Sequence, residues 1–240
     1  MPVFNNFTGL VDTISSIKNQ TFKNYEVWVI NGGSCKKTLG FLNQLESPFF
    51  YQSGKDKGIY DAMNKGVSLS KGEWLYFLGV EDVFYNKRVL QDVFVNSNLQ
   101  KSNLISGNVI YKGVLNPLVK AKNKLIKKAF WSYFIWFRNG LHHQSTFYKR
   151  ELFFDINYCL KYKVLADYWF NIYLFKRKEK CILIDKTIAS CTANGISKKG
   201  NWTLYKEEVS LKVDLSSSML KPFFYGMVLL KYLSRKIAND

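Results

Sequence analysis

The alternation in the first third of this chain most constrains its fold. Apolar runs that read as buried strands, Tyr25–Ile30, Phe49–Gln52 and Trp74–Leu78, are separated by stretches of helical spacing. Phe7–Gln20 places Leu10, Val11, Ile14 and Ile17 on one helical face, with Thr8 as the expected N-cap. Thr38–Leu45 and Gly58–Leu69 read as the next two helices. Strands joined through helices are joined by crossovers, so they pair in parallel and have covered faces. The expected class is α/β, a mainly parallel sheet flanked by helices.

Farther along, Asn86–Asn98 reads as a helix and Asn103–Tyr111 as a strand. His142–Tyr148 is strand-like, and Ala166–Lys178 is helical. Cys181–Ala193 reads as two strands or one long bent one, and the tail from Trp202 as two helices. No flexible linker interrupts the chain, so one compact unit is expected.

Composition removes several classes. With 47% hydrophobic and 17% aromatic residues in 240, the chain is too apolar for disorder. Four cysteines without a CxxC spacing read as reduced thiols of a cytoplasmic protein. The two histidines are adjacent, which excludes HExxH and Cys/His zinc spacings, and no P-loop or GxSxG is present. The first residues lack a basic and an apolar signal region, and no run approaches the roughly 20 apolar residues of a membrane span. The net charge of +17 asks for an anionic partner: nucleic acid, a membrane surface or a phosphorylated ligand. Between Val93 and Arg150 there is no acid and there are ten basic residues.

Four sets of residues are candidates for chemistry. Glu81-Asp82 follows an apolar strand, where open α/β sheets place their ligands, and two acids there suit a hard cation holding a diphosphate. Asp56, Lys57, Gly58, Tyr60, Asp61 and Asn64 surround a helix start; Gly58 permits close backbone approach, and Asp61 and Asn64 share a helical face. Taken alone, helix capping by Asp56 and ordinary surface polarity are the favoured explanation. Asp167 opens an apolar helix, where a carboxylate is favourable at the positive end or serves as a partly buried general base. In His142-His143-Gln144, strand alternation points the two imidazoles to opposite faces.

The segments NQTFKNYEVWVINGGS, DKGIYDAMNKGVSLSKGEWLYFLGVEDVF, HHQSTFYKRELF, ADYWF and NGIS together resemble family-2 glycosyltransferases of the GT-A fold, in the branch acting in bacterial surface-polysaccharide synthesis. The resemblance spans roughly residues 2–200. It implies a nucleotide-sugar donor and inverting transfer to a hydroxyl of a glycan, in capsule, O-antigen or exopolysaccharide synthesis. By that resemblance Asp82 is the ligand of Mg²⁺ or Mn²⁺, with Glu81 beside it. Asn31, Asp56, Gly58 and Asp61 belong to the donor side. His143 and Gln144 lie on the acceptor side, and Asp167 is the base.

Three departures accompany the resemblance. Pro2-Val3-Phe4-Asn5-Asn6 resembles only the end of the family's first strand and the nucleotide-binding loop after it. Asn31 stands where an aspartate is usual, and Ser34–Thr38 replaces an acidic loop. Glu81 is the first acid of the metal pair. These departures leave an inactive remnant as the alternative to an enzyme. The expected division is residues 1–200 as the N-terminally truncated GT-A domain and 201–240 as a helical tail.

The basic cluster Lys120, Lys122, Lys124, Lys127 and Lys128 precedes the aromatics Phe130, Trp131, Tyr133, Phe134, Trp136 and Phe137. With the tail Met219–Lys236, it suits an anionic membrane surface, a lipid-linked acceptor and a peripheral place on the inner face of the plasma membrane. A solvated lysine face over core aromatics is the plain alternative. No nucleic-acid-binding motif is present, so nucleic acid is not the expected partner.

Overall fold

The computed structural model describes residues 1–95, 102–112, 125–192 and 200–239. Lys120, Lys122, Lys124, Ala193 and the NGIS segment at 194–197 lie outside the described residues.

The first sheet is built as the alternation requires. Strands β1 (Pro2–Val3), β2 (Val27–Asn31) and β3 (Phe49–Ser53) are parallel and lie in that order. Helix α1 (Phe7–Lys18) buries Leu10, Ile14 and Ile17 beneath them. Each such side chain contributes roughly 1.5–3 kcal/mol by leaving water. Its cap is Asn6 rather than Thr8: the Asn6 side chain accepts from Gly9 N at 3.0 Å. Helices α2 (Lys36–Leu42) and α3 (Ile59–Leu69) complete this half. β1 pairs with Ile30 and Asn31 alone. Beside it, Met1, Val27, Trp28, Trp74 and Leu75 are among the residues lining a cavity of about 520 Å³.

The second sheet is mixed. Its strands are β4 (Trp74–Tyr76), β5 (Val83–Phe84), β6 (Leu104–Lys112), β7 (Leu125–Lys127), β8 (Thr146–Lys149) and β9 (Cys181–Thr192). The order is β4-β8-β6-β9-β5, with β7 also on β6. β6 and β9 are parallel; the other pairings are antiparallel. Parallel pairing therefore rules the first sheet and the β6–β9 centre of the second. Short helix α4 (Val89–Phe94) packs Val89, Leu90 and Val93 into the first core.

Helix α5 (Ala166–Lys176) is buried nearly all round; its sequence is apolar and aromatic but for Asp167, Asn171 and the terminal Lys176. It packs into an aromatic core in which Phe153 stacks on Phe170 at 4.6 Å, beside Tyr148, Tyr158 and Phe77. That core fixes the start of α5, and so Asp167, against Tyr60 at the start of α3. Helix α6 (Trp202–Asp214) sends Leu211 into the same core and pairs with α7 (Lys221–Asn239) through Tyr205, Val209, Phe224 and Val228.

Candidate functional site

The loop after β4 carries the acidic pair in a shape set from three sides. Asp82 N donates to Gly79 O, closing a tight turn, and Glu81 adopts a φ of +78°, a left-handed conformation uncommon outside glycine. Thr13 of α1 holds this turn. Its Oγ1 lies 2.8 Å from Gly9 O and 3.0 Å from Asp82 O, and accepts from Glu81 N at 3.1 Å. Asn6, the cap of α1, donates from Nδ2 to Glu81 Oε1 at 2.7 Å. A side chain on Gly79 would stand 2.7 Å from Asp82 Oδ2, so the glycine there makes room for the carboxylate.

Asp82 itself is 6% exposed. Oδ2 accepts from Gln144 Nε2 and Oδ1 from Thr192 N, each at 3.2 Å. Burial pushes its pKa up, and the bonds from Gln144 and Thr192, with the His143 ring nearby, offset only part of that rise.

Asp167, 9% exposed, sits in the first turn of α5. The Tyr60 hydroxyl lies 2.8 Å from its Oδ1 and 2.7 Å from Val164 O. Burial, with the Asp167 charge adding to it, raises the Tyr60 pKa well above the ordinary phenol value. Asn139 Nδ2 donates to Asp167 Oδ2 at 3.3 Å, and His143 Nδ1 lies 3.4 Å from the same oxygen. Behind them Asn171 Nδ2 donates to Asn139 Oδ1, and Tyr148 Oη donates to Asn171 Oδ1. A polar chain thus runs from β8 to the carboxylate, and its members orient one another.

Between the two acids lies a single 3-10 turn, His143–Ser145. His143 reaches Asp167 and the next residue, Gln144, reaches Asp82. Tyr76 Oη donates to Gln144 O at 2.7 Å and ties the turn to β4. The sequence suggests a strand from His142, but His143–Ser145 form a turn instead. β8 starts only at Thr146, so the histidines part because the chain turns: His142 Nδ1 lies 3.4 Å from Tyr111 Oη, while His143 faces Asp167.

The other candidate residues gather at the carboxyl ends of β2 and β3. Asn31 is fully buried; Oδ1 accepts from Ser34 N and Nδ2 donates to Ser53 Oγ, each at 3.0 Å. Asp56 Oδ1 accepts from Gly58 N at 3.0 Å, and a Cβ on Gly32 would stand 2.5 Å from Asp56 Oδ2. Asp56 therefore lies against the end of β2. Gly58 holds a φ of +127° with no atom of the chain within 4 Å of where a Cβ would be, so its backbone conformation, not crowding, calls for glycine. Asp61 accepts from Lys57 N at 2.9 Å and pairs with Lys65 at 3.1 Å; those two contacts, the first larger, hold its pKa below the ordinary carboxylate value. Asn64 instead exchanges two bonds with the backbone of Tyr158. The shared face of Asp61 and Asn64 is thus divided between a loop and the core.

Among the described residues no group of three or more His, Cys, Asp or Glu is placed to hold a metal ion. A cation at Asp82 would need oxygens from a ligand, which is how Mg²⁺ sites of one carboxylate plus substrate phosphates are built. Asp82 fits that place. It has no Lys or Arg ion pair among the described residues, and its buried charge is offset by neutral donors. Two hydrogen bonds leave a carboxylate further lone pairs for a cation. Glu81 is exposed and bonded to Asn6.

Sequence reasoning misses Thr13, Asn139 and Thr192. The first lies 69 residues from Asp82 and the last 110, so no local pattern marks either. A buried threonine on the apolar face of α1, a position where Val or Ala would pack as well, is the one signal available for Thr13.

Comparison with known proteins gives a family and a fold. The family described as Glycosyl transferase family 2 matches residues 1–204. A PGL/p-HBAD biosynthesis glycosyltransferase of Mycobacterium bovis is 35% identical over 182 residues, covering 73% of this chain and 68% of the relative. Among solved structures, S. aureus TarS 1–349 in complex with UDP-GlcNAc superposes with a TM-score of 0.66 at 17% identity, covering 98% of this chain and 70% of that one. The mannosyltransferase PcManGT from Pyrobaculum calidifontis, in complex with GDP-Man and Mn²⁺, gives a TM-score of 0.62 at 13% identity, covering 95% and 68%.

Proposed function

This chain belongs to glycosyl transferase family 2, and from that premise we propose that it moves a sugar from a nucleoside-diphosphate donor to a glycan hydroxyl with inversion at the anomeric carbon. The supporting observation is the His143-Gln144 turn, whose consecutive side chains touch two buried carboxylates drawn from distant parts of the chain. One carboxylate suits a leaving group and the other a nucleophile, and a displacement needs one on each side of the reacting carbon.

Asp167 takes the proton of the acceptor hydroxyl. The freed oxygen bonds to the anomeric carbon, and the bond from that carbon to the phosphate oxygen breaks, its electron pair leaving with the diphosphate. A divalent cation bound at Asp82, Mg²⁺ or Mn²⁺, supplies charge neutralisation for that diphosphate. Tyr60 and Asn139 keep the Asp167 carboxylate in one orientation, and Gln144 does the same for Asp82. On the donor side Asp56 and Gly58 form the rim, with Glu81 beside the cation. Asn31 and Asp61 are spent on local bonds, so their part is to hold the loops that meet the nucleotide. The acceptor-side members are His143 and Gln144.

The acceptor in this reading is a lipid-linked glycan of bacterial surface-polysaccharide synthesis, of the capsule, O-antigen or exopolysaccharide kind. One relative, named for glycosyl transfer in PGL/p-HBAD biosynthesis, supports the broad chemistry, and a solved protein of the same fold holds UDP-GlcNAc. The test is release of nucleoside diphosphate from a panel of UDP- and GDP-sugars with Mn²⁺, for the parent, Asp82→Ala and Asp167→Ala. Activity in the parent, lost in Asp82→Ala and deficient in acceptor transfer in Asp167→Ala, is expected. Equal activity in all three overturns the site; no turnover of any donor leaves the remnant reading in its place.

A further inference from the structure

Helix α7 has two apolar faces, and the described residues cover one. Phe224 and Val228 are buried against α6. On the opposite side Phe223, Leu230, Leu233 and Ile237 recur at helical spacing and are 57%, 70%, 45% and 76% exposed. No acid occurs from Leu215 to Asn239, whereas Lys221, Lys231, Arg235 and Lys236 do. Lys231 turns inward, to Glu208 and to the carbonyl of Phe137; Lys221 and Lys236 are exposed.

The carbonyl that Lys231 holds belongs to a second exposed apolar element. The 3-10 turn Tyr133–Trp136 presents Tyr133 at 81% and Phe134 at 51% exposure, with Phe137 at 42% just after it. Arg138 lies over the rings of Phe130 and Phe134 at 5.1 and 5.5 Å. Trp136 stacks on Phe224, so the turn and α7 are joined both by rings and by Lys231. The next residue, Asn139, bonds Asp167.

We propose that the outer face of α7 and this aromatic turn form one docking surface for an anionic lipid bilayer. Phe223, Leu230, Leu233 and Ile237 enter the boundary between headgroups and acyl chains, and Lys221, Lys236 and Arg138 meet lipid phosphates. Charge selects this occupant. A second copy of the chain would set a face rimmed by Lys221 and Lys236 against its like, with +17 on each partner. An anionic surface reverses the sign of every one of those terms. The docking stands on the surface itself. Its consequence, that residues 137–139 carry Asp167 near the plane where a lipid-linked acceptor would lie, rests on the transfer reading above.

The test is flotation of the whole protein with vesicles of phosphatidylcholine alone or mixed with phosphatidylglycerol, for the parent and for Leu230→Gln/Leu233→Gln. Both leucines are exposed and neither belongs to the acidic site, so the double variant keeps the parent's melting temperature and donor hydrolysis. Expected is flotation with the mixed vesicles only, weakened by rising salt and at least ~10-fold weaker in the double variant. Failure of the parent to float at low salt overturns the proposal, as does equal flotation of parent and variant. A dimer in solution that the double substitution dissolves also overturns it, in favour of a second copy. Donor hydrolysis, measured without vesicles, keeps a failure of docking distinct from a failure of the transfer reading.

Discussion

Asp82 and Asp167 are both more than nine-tenths buried, yet the chain secures them by different means. Asp167 begins a regular helix, and side chains surround it: a phenol, an amide and an imidazole. Asp82 ends an irregular turn with a left-handed neighbour, and it is fixed by a mixture of backbone and side chain: the Thr13 hydroxyl against its carbonyl, its own N–H to Gly79 O, and the Thr192 N–H and the Gln144 amide on its carboxylate. The helical acid is held where a proton can be passed among polar groups that stay put. The loop acid is held with its charge incompletely compensated, which leaves room for a cation. In the proposed transfer, two carboxylates of one chain thus take different parts because their surroundings differ.

The contrast is broken most sharply by Asp82→Asn. Transfer should fall by about 10²–10³-fold, the scale of losing an electrostatic contact to a developing charge. The same substitution should stabilise the fold. Burial raises the Asp82 pKa above its unfolded value, so the ionised form costs stability above the folded pKa, and that cost vanishes below the unfolded value of 3.8. The gain in melting temperature of the variant over the parent should therefore be largest near neutral pH and shrink as pH falls toward 4. Thermal melts across that range, with turnover at pH 7.5, check both halves.

Asp167→Asn should match it in one respect only. Transfer to acceptor falls by about 10²–10⁴-fold, the usual worth of a general base. Affinity for a nucleoside diphosphate with Mn²⁺, measured by calorimetry, should stay at the parent's value, whereas Asp82→Asn should lose it. Loss of diphosphate affinity in both variants would erase the division of labour.

The same contrast decides how much could be read from sequence. The helical acid was legible: ADYWF opens an apolar helix, and an acid there is visible to anyone counting residues. The loop acid was legible as part of the pair Glu81-Asp82, because strands end in such loops. Strands β2 and β3 and helices α1 and α3 also follow from apolar periodicity, their ends moving by at most two residues. The bridge was not legible. His143-Gln144 looks like strand because the residues after it are strand, and its turn is set by Tyr76 and by packing against β4. Nor was the fate of Asn31, whose amide is consumed by Ser34 and Ser53; spacing gives its place but not its partners.

Thr13→Val asks how far the loop acid depends on backbone restraint. Valine keeps the shape of the buried side chain and removes the hydroxyl that serves Glu81 N and lies against Asp82 O. Leaving buried backbone groups unpaired costs about 1–3 kcal/mol. Chemical denaturation should show that loss, with weaker Mn²⁺-dependent diphosphate binding, and Thr13→Ser should restore both. A purely structural threonine would lose stability in the valine variant without any change in binding.

Glu81→Gly has the smallest expected effect and tests the loop from the other direction. A non-glycine residue at φ +78° carries left-handed strain of roughly 1–2 kcal/mol, which glycine removes. Glycine also adds unfolded-state entropy of about 0.5–1 kcal/mol and deletes the bond from Asn6. The terms oppose, so denaturation should shift by less than about 1 kcal/mol. If the side chain of Glu81 matters only on the donor side, the same variant should bind Mn²⁺ and diphosphate more weakly while Asp167-dependent steps at saturating donor stay at the parent rate. A large loss of stability would instead mean that the Asn6–Glu81 contact, and not the Thr13 hydroxyl, is what holds the acidic turn against α1.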